Sequence, residues 1–264
     1  MGSLIQLQLV HPEGELSSWV QAIWSASVAT DSGKDFEQWL QGDACCGLLF
    51  VMSNGIKVDD VELPIGTTFS NASKCAKLMH IPAGGILAGV RFHPGIAAEL
   101  LRLLKSDSKI APETFISSTD ELILKLQTSF EHQTKISLIN NWLRSLSDGP
   151  VAPPSTLLLA LGALKKGGGT EELVNRVPIG LRQVERQFQS WVGMTPKYFQ
   201  RLSRVSSARE ELKTLPTTEL AELAYKHGFS DQAHMTREFK AIAKVTPATY
   251  SRRIIRSQNP KNNN

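Results

Sequence analysis

Eight polar side chains near the C-terminus have the types and spacing to read the edges of base pairs. Arg182, Glu185, Arg186 and Gln189 form one set, and Gln232, Thr236, Arg237 and Lys240 form the other. Arg donates two hydrogen bonds to guanine, Gln bonds adenine through two atoms, and Glu accepts from cytosine. A Lys in such a set suits a phosphate, which positions a protein without reading sequence. The same helical turns carry a second, apolar face. Val184, Phe188 and Trp191 fall at i, i+4 and i+7, as do Met235, Phe239 and Ile242. Residues at that spacing share one side of a helix, so each segment reads as a buried stripe backed by an exposed polar face. An ordinary solvated helix face is the plain alternative for either segment alone.

The two segments are also copies of one pattern. From Val184 and Met235 through Thr195-Pro196 and Thr246-Pro247 they match at a constant offset of 51 residues. Each follows a short helix-like segment, Glu171-Glu172-Leu173 in one case and Glu219 to Leu223 in the other. This is how two helix-turn-helix units in tandem would be written. Thr195-Pro196 starts a longer helix to about Lys213, with Pro at a tolerated first-turn position. Ser155 to Lys166 reads as an apolar helix stopped by Gly167-Gly168-Gly169. Thr170 is a candidate N-cap with two acids in its first turn. His227 to Ser230 makes a turn, and Asp231 to Lys244 reads as the last long helix.

Charge divides the chain the same way. Residues 155–264 hold 18 basic against 9 acidic residues, a balance of +9, whereas residues 1–154 carry −5. A basic half beside an acidic one fits a nucleic-acid-binding region joined to a non-binding one. Asp148-Gly149-Pro150-Val151-Ala152-Pro153-Pro154 is the joint, since stacked prolines suit neither a helix nor a central strand. The expected organisation is residues 1–147, a linker at 148–154, residues 155–256 and a frayed tail at 257–264. The expected fold class is α+β: a small β-rich, cupin-like N-terminal domain with helices, then an all-α C-terminal domain.

In the first half, Gly47 to Met52, Thr67 to Phe69, Lys77 to Ile81 and Leu87 to Phe92 read as strands. Asn54-Gly55 is a turn, and Gly84-Gly85 separates the last two strands like a hairpin loop. Ile96 to Leu104, Asp120 to Phe130 and Lys135 to Leu146 read as helices. The last two carry apolar stripes that pack on the sheet or on a second subunit. No apolar run is long enough to span a membrane, and Met1 to Gln21 lacks the pattern of a signal peptide. Cys45, Cys46 and Cys75 read as free thiols, which points to a cytoplasmic protein.

Residues 155–253 resemble the DNA-binding domain of the AraC/XylS family of bacterial transcription regulators. The resemblance is carried by Gly228-Phe229-Ser230-Asp231-Gln232, Thr236-Arg237-Glu238-Phe239-Lys240, Val245-Thr246-Pro247 and Tyr250. Upstream it is carried by Phe188, Gly193 to Phe199, and Arg201 to Arg204. It departs from the family pattern at Val177-Pro178-Ile179-Gly180, where a turn Gly followed by a Ser or Thr cap is usual, and at Ala243-Lys244, where Gly and an aromatic are common. The resemblance implies two helix-turn-helix units joined by a long helix, each presenting a recognition helix to the major groove. Implied partners are double-stranded DNA, RNA polymerase, a small-molecule effector and a second copy of the chain, with no membrane partner. A looser likeness, through Pro12, Val20, Trp24, Asp43 and Val90 to Gly95, implies a β-rich sensor domain ahead of it.

Trp24, Arg91 and His93, with Trp39, are candidates to line an effector pocket. Along a strand, Gly89, Arg91 and His93 point away from Val90 and Phe92. An Arg in a barrel interior suits an anionic effector, while a structurally paired Arg is the alternative. The competing function is a cupin-like metal-dependent enzyme or a small-molecule-binding protein with an accessory DNA-binding domain. Its candidate ligands, His80, His93 and Glu99, match no short metal motif. Three cysteines without C-x-x-C likewise argue against a methyl-accepting repair protein with a zinc cluster. The expectation is therefore no catalytic residue, no metal and no cofactor.

Overall fold

The computed structural model describes residues 4–96, 112–146, 152–170 and 173–258. The first region holds nine strands: β1 (Ile5–Val10), β2 (Val20–Val28), β3 (Phe36–Leu40), β4 (Cys46–Val51), β5 (Lys57–Val58), β6 (Val61–Glu62), β7 (Gly66–Ser70), β8 (Lys77–Ile81) and β9 (Ile86–Phe92). They form two antiparallel sheets, ordered β1-β2-β9-β4-β7 and β3-β8-β5-β6. Among the described residues two helices follow, α1 (Pro112–Thr128) and α2 (His132–Ser145).

Side-chain alternation along β4 shows how one sheet serves two cores. Cys46, Leu48 and Phe50 face the helices, with Val90 and Phe92 of β9. Leu49 and Val51 face the second sheet, packing with Ile56, Met79 and Ile81. Every residue of β4 is therefore buried, and its sequence is a continuous apolar run. The stripes of α1 and α2 are covered the same way: Leu122, Leu126, Ile136, Ile139 and Leu143 pack onto the five-stranded sheet. Of the two destinations open to these helices, their own sheet takes the stripes. Leu124 and Phe130 remain outside.

The four strands read from sequence are present, but Gly84-Gly85 is not a hairpin loop. β8 belongs to one sheet and β9 to the other, so these glycines carry the chain across the sandwich. A Cβ on Gly85 would meet the Ile81 side chain at 2.5 Å and the Pro82 carbonyl oxygen at 2.8 Å, so the close turn favours glycine. The helix read at Ile96 to Leu104 beyond Ile96 itself, the residues Glu171 and Glu172, residues 148–151 of the joint and the tail from 259 lie outside the described residues.

The second region is helical: α3 (Ser155–Lys165), α4 (Leu173–Arg176), α5 (Leu181–Trp191), α6 (Pro196–Thr214), α7 (Leu220–Lys226), α8 (Gln232–Ala243) and α9 (Pro247–Gln258). Asp231 to Lys244 is thus not the last long helix, since α9 follows it. One core unites these helices, centred on Leu157, Leu164, Phe188, Leu212, Met235 and Phe239. The starts are capped as their sequences suggest. Thr195 accepts from the Tyr198 amide with Pro196 in the first turn. Asp231 Oδ1 accepts from the His234 amide at 2.6 Å. Gly180, starting α5, supplies no side-chain cap. The two units also end alike, at Gly193 (φ 76°) and Lys244 (φ 60°), both left-handed.

Candidate nucleic-acid interface

α5 and α8 present the two polar sets. Arg182, Glu185, Arg186 and Gln189 are all exposed along α5, over buried Val184 and Phe188. Gln232, Arg237 and Lys240 are exposed along α8, Thr236 is half-buried, and Met235, Phe239 and Ile242 are buried beneath them. Trp191 is only partly covered. Each helix is seated by polar ties as well as by its stripe. Gln187 of α5 accepts from Thr156 of α3 at 3.0 Å.

α8 is held by a buried clamp whose role the sequence reading missed. Glu238 accepts from Arg201 Nε of α6 at 2.6 Å, and His234 and Arg204 lie 3.5 and 3.8 Å away. Arg201 also stacks over Tyr198, and Arg204 over Phe229. A carboxylate beside an apolar stripe needs a partner, and that was the available signal. Glu211 of α6 similarly ties α7, through Lys226 and His227 at 2.9 Å each. Lys226 is the main reason its carboxyl sits below the usual range. The His234 amide, first, and Ser230 do the same for Asp231.

A helix-turn-helix domain family matches residues 173–253. The C-terminal region is thus similar to a helix-turn-helix domain. The Transposon Tn10 TetD protein of Escherichia coli is 34% identical over 82 residues, which is 31% of this chain and 59% of that protein. ToxT from Vibrio cholerae superposes with a TM-score of 0.48 at 11% identity, covering 95% of this chain and 98% of that one. The DNA-binding domain of AdpA, in complex with a target DNA, gives 0.35 at 25% identity, covering 40% and 94%. Within the helix-turn-helix domain, α5 and α8 occupy equivalent places in the two units.

Between the two sheets lies a cavity of about 520 Å³, walled by Trp24, Leu49, Phe69, Met79 and Arg91 among others. Arg91 donates to Gln21 at 2.6 Å and pairs with Asp43. Its charge is therefore already matched within the protein. Cys45, beside it, donates to Gln21, and burial pushes its thiol up to about 12. Gly89 makes room for the Trp24 ring, which a Cβ would approach to 2.7 Å. Two of the three pocket candidates, Trp24 and Arg91, reach this wall. His93 does not: it lies past the end of β9, 3.2 Å from the Ser17 carbonyl. Trp39 also lies outside the lining. His80 sits against Asp35 and Glu37, away from His93, and Glu99 falls outside the described residues. Among the described residues no cluster of His, Cys, Asp and Glu is arranged to hold a metal.

The loop at 71–76 joins this cavity to the helix-turn-helix domain. Asn71 and Ser73 line the cavity. In the same loop, the Ala76 amide donates to the Ile242 carbonyl of α8 at 2.6 Å. Lys74 accepts from the Tyr198 hydroxyl at 3.0 Å through its carbonyl. Ala44 is buried in the helical core, and Ala72 packs against it.

Proposed function

We propose that the chain is a sequence-specific DNA-binding transcription regulator. Residues 155–256 bind operator DNA with α5 and α8 in the major groove, and residues 1–147 regulate that binding. One observation carries the reading: two equivalent helices, each seated on a buried stripe, turn base-reading side chains outward. Arg182, Arg186, Gln189, Gln232 and Arg237 are assigned to base edges with Glu185 and Thr236, and Lys240 to a phosphate. At 19 residues, α6 is about 28 Å long and separates the two units. RNA polymerase and a cytoplasmic location belong to the same reading.

The cavity between the sheets is the proposed effector site. Its mainly apolar wall and the internally paired Arg91 favour an apolar molecule over a free anion. An effector touching Asn71 and Ser73 would act on α6 through Lys74 and on α8 through Ala76. An enzymatic reading has no observation in its favour here.

Anisotropy titration of the full chain against operator-bearing and random DNA tests the proposal. Each phosphate contact steepens the salt dependence, so six to ten contacts cost about 10³–10⁵ in affinity between 50 and 200 mM salt. Lys240→Ala should weaken both DNAs evenly, while Arg186→Ala should weaken the operator selectively. Affinity that is flat with salt would sink the proposal.

A further inference from the structure

The outer edge of β1 is built to receive another strand. β1 ends the five-stranded sheet and, among the described residues, pairs only with β2, in a register from Ile5↔Val28 to Val10↔Ile23. The Leu4 carbonyl accepts from the Ala29 amide of the chain leaving β2. Leu4 therefore aims its backbone groups inward, and by the alternation of an antiparallel ladder so do Gln6, Gln8 and Val10. Ile5, Leu7 and Leu9 aim theirs outward, where among the described residues no strand meets them. The side chains of these three also share one face. Ile5 packs on the core between the sheets, but Leu7 is 59% and Leu9 48% exposed.

Edge strands are ordinarily blunted by charge, proline or a covering element. The other three edges are: β3 carries Glu37, β6 carries Glu62, and β7 packs against α1. β1, Ile-Gln-Leu-Gln-Leu-Val, has neither charge nor proline. It is held straight by β2 and by a hydrogen bond from Gln8 to Gln133 of α2. It is an open, preformed ladder.

We propose that β1 pairs antiparallel with β1 of a second copy, about a two-fold axis at Leu7. The choice of partner follows from register. With the axis at Leu7, outward-facing residues meet outward-facing residues, as ladder hydrogen bonds require. Leu7 then opposes Leu7, and Ile5 opposes Leu9 on both sides. The exposed leucines cover one another and no charge opposes a like charge. A slip by one residue would set outward groups against inward ones. The two five-stranded sheets become one continuous sheet of ten strands. The contact is independent of DNA.

Sedimentation of the full chain across a concentration series reads the association. The mass should rise from 29.0 kDa towards twice that value. Leu7→Lys and Leu7→Glu should each be monomeric, and mixing the two should restore a dimer, because the position opposes itself. Leu7→Pro removes only an outward N–H, so it should lose the dimer and keep the wild-type far-ultraviolet spectrum. In the wild type, exchange of the Leu7 and Leu9 amides should slow as concentration rises, a readout that needs no variant. A wild type that stays monomeric overturns the proposal. So does a dimer that survives these substitutions, a charge-swapped mixture that stays monomeric, or a dimer whose Leu7 and Leu9 amides exchange freely.

Discussion

Arg237→Ala and Phe239→Ala alter residues two apart on α8, and they should fail in different assays. Two residues of helix turn the chain by about 200°, so the pair points to nearly opposite sides. Phe239 is fully buried, its ring 5.8 Å from that of Tyr250. Removing such a ring costs about 3–5 kcal/mol, part lost transfer energy and part cavity. For a chain of this size each kcal/mol moves the melting temperature by about 2–4 °C, so the expected drop is about 6–20 °C. Arg237 is exposed, and its loss should change stability by less than about 0.5 kcal/mol. If it reads a base, operator affinity should fall by about 1–3 kcal/mol, a factor of about 5 to 150. Calorimetry of the full chain and anisotropy on operator DNA measure the two separately. The assignment of faces is refuted if Phe239→Ala keeps the wild-type melting temperature. It is equally refuted if Arg237→Ala unfolds the domain while sparing the affinity of the folded fraction.

Tyr198→Phe deletes the hydroxyl that donates to Lys74, and Ala76→Pro deletes the amide that donates to Ile242. A hydrogen bond is worth about 0.5–1.5 kcal/mol net, so each should change the full chain's operator affinity by about 2- to 12-fold; unchanged affinity in both would uncouple the loop from α6 and α8. Lys244→Gly should stabilise the second unit by about 1 kcal/mol, because Lys244 holds a left-handed backbone that costs a side-chain-bearing residue about that much; a lower melting temperature would contradict this. His93 and His132 are both held below 6.5, chiefly by burial. The folded chain thus resists protons that the unfolded chain takes up, and stability should fall as pH drops below 6.5; denaturant titrations that give the same stability at pH 7.5 and pH 5.5 would exclude it.

The helical half was the more legible in the sequence. Its period of 3.6 residues, its Thr195-Pro196 start and its 51-residue repeat are local signals, and they placed α5, α6 and α8 nearly to the residue. α9 was missed because Thr246-Pro247 was read as the close of a repeat, whereas Pro247 opens a new helix. In the β-rich half, strands buried on both faces announced themselves, as β4 and β9 did. β1 was passed over although its Ile-Gln-Leu-Gln-Leu alternation is a strand pattern, and β2 because its small Ala and Ser residues blur any period. Which strands share a sheet depends on contacts far apart in sequence, and so Gly84-Gly85 passed for a hairpin. The pairing of Arg91 with Asp43 and of Glu238 with Arg201 was hidden for the same reason.

Those long-range pairings shape how the two halves can act on each other. Position 43 pairs with Arg91 at the cavity and bridges Ser73 in the loop. A Cβ on Gly42 would meet the Cys75 backbone at 2.7 Å, so the segments at 42–44 and 71–76 are in close contact, and the Asp43–Ser73 bridge ties them. A ligand that displaced either would have to displace both. Because Ala44 is itself seated in the helical core, such a movement could not stay within the β-rich half. An effector that binds one position of these segments more tightly than another would shift α8 by that difference in affinity and no more. The strength of such regulation would therefore be bounded by what the seam itself is worth, a few hydrogen bonds and two small apolar contacts. Removing those bonds one at a time measures that bound.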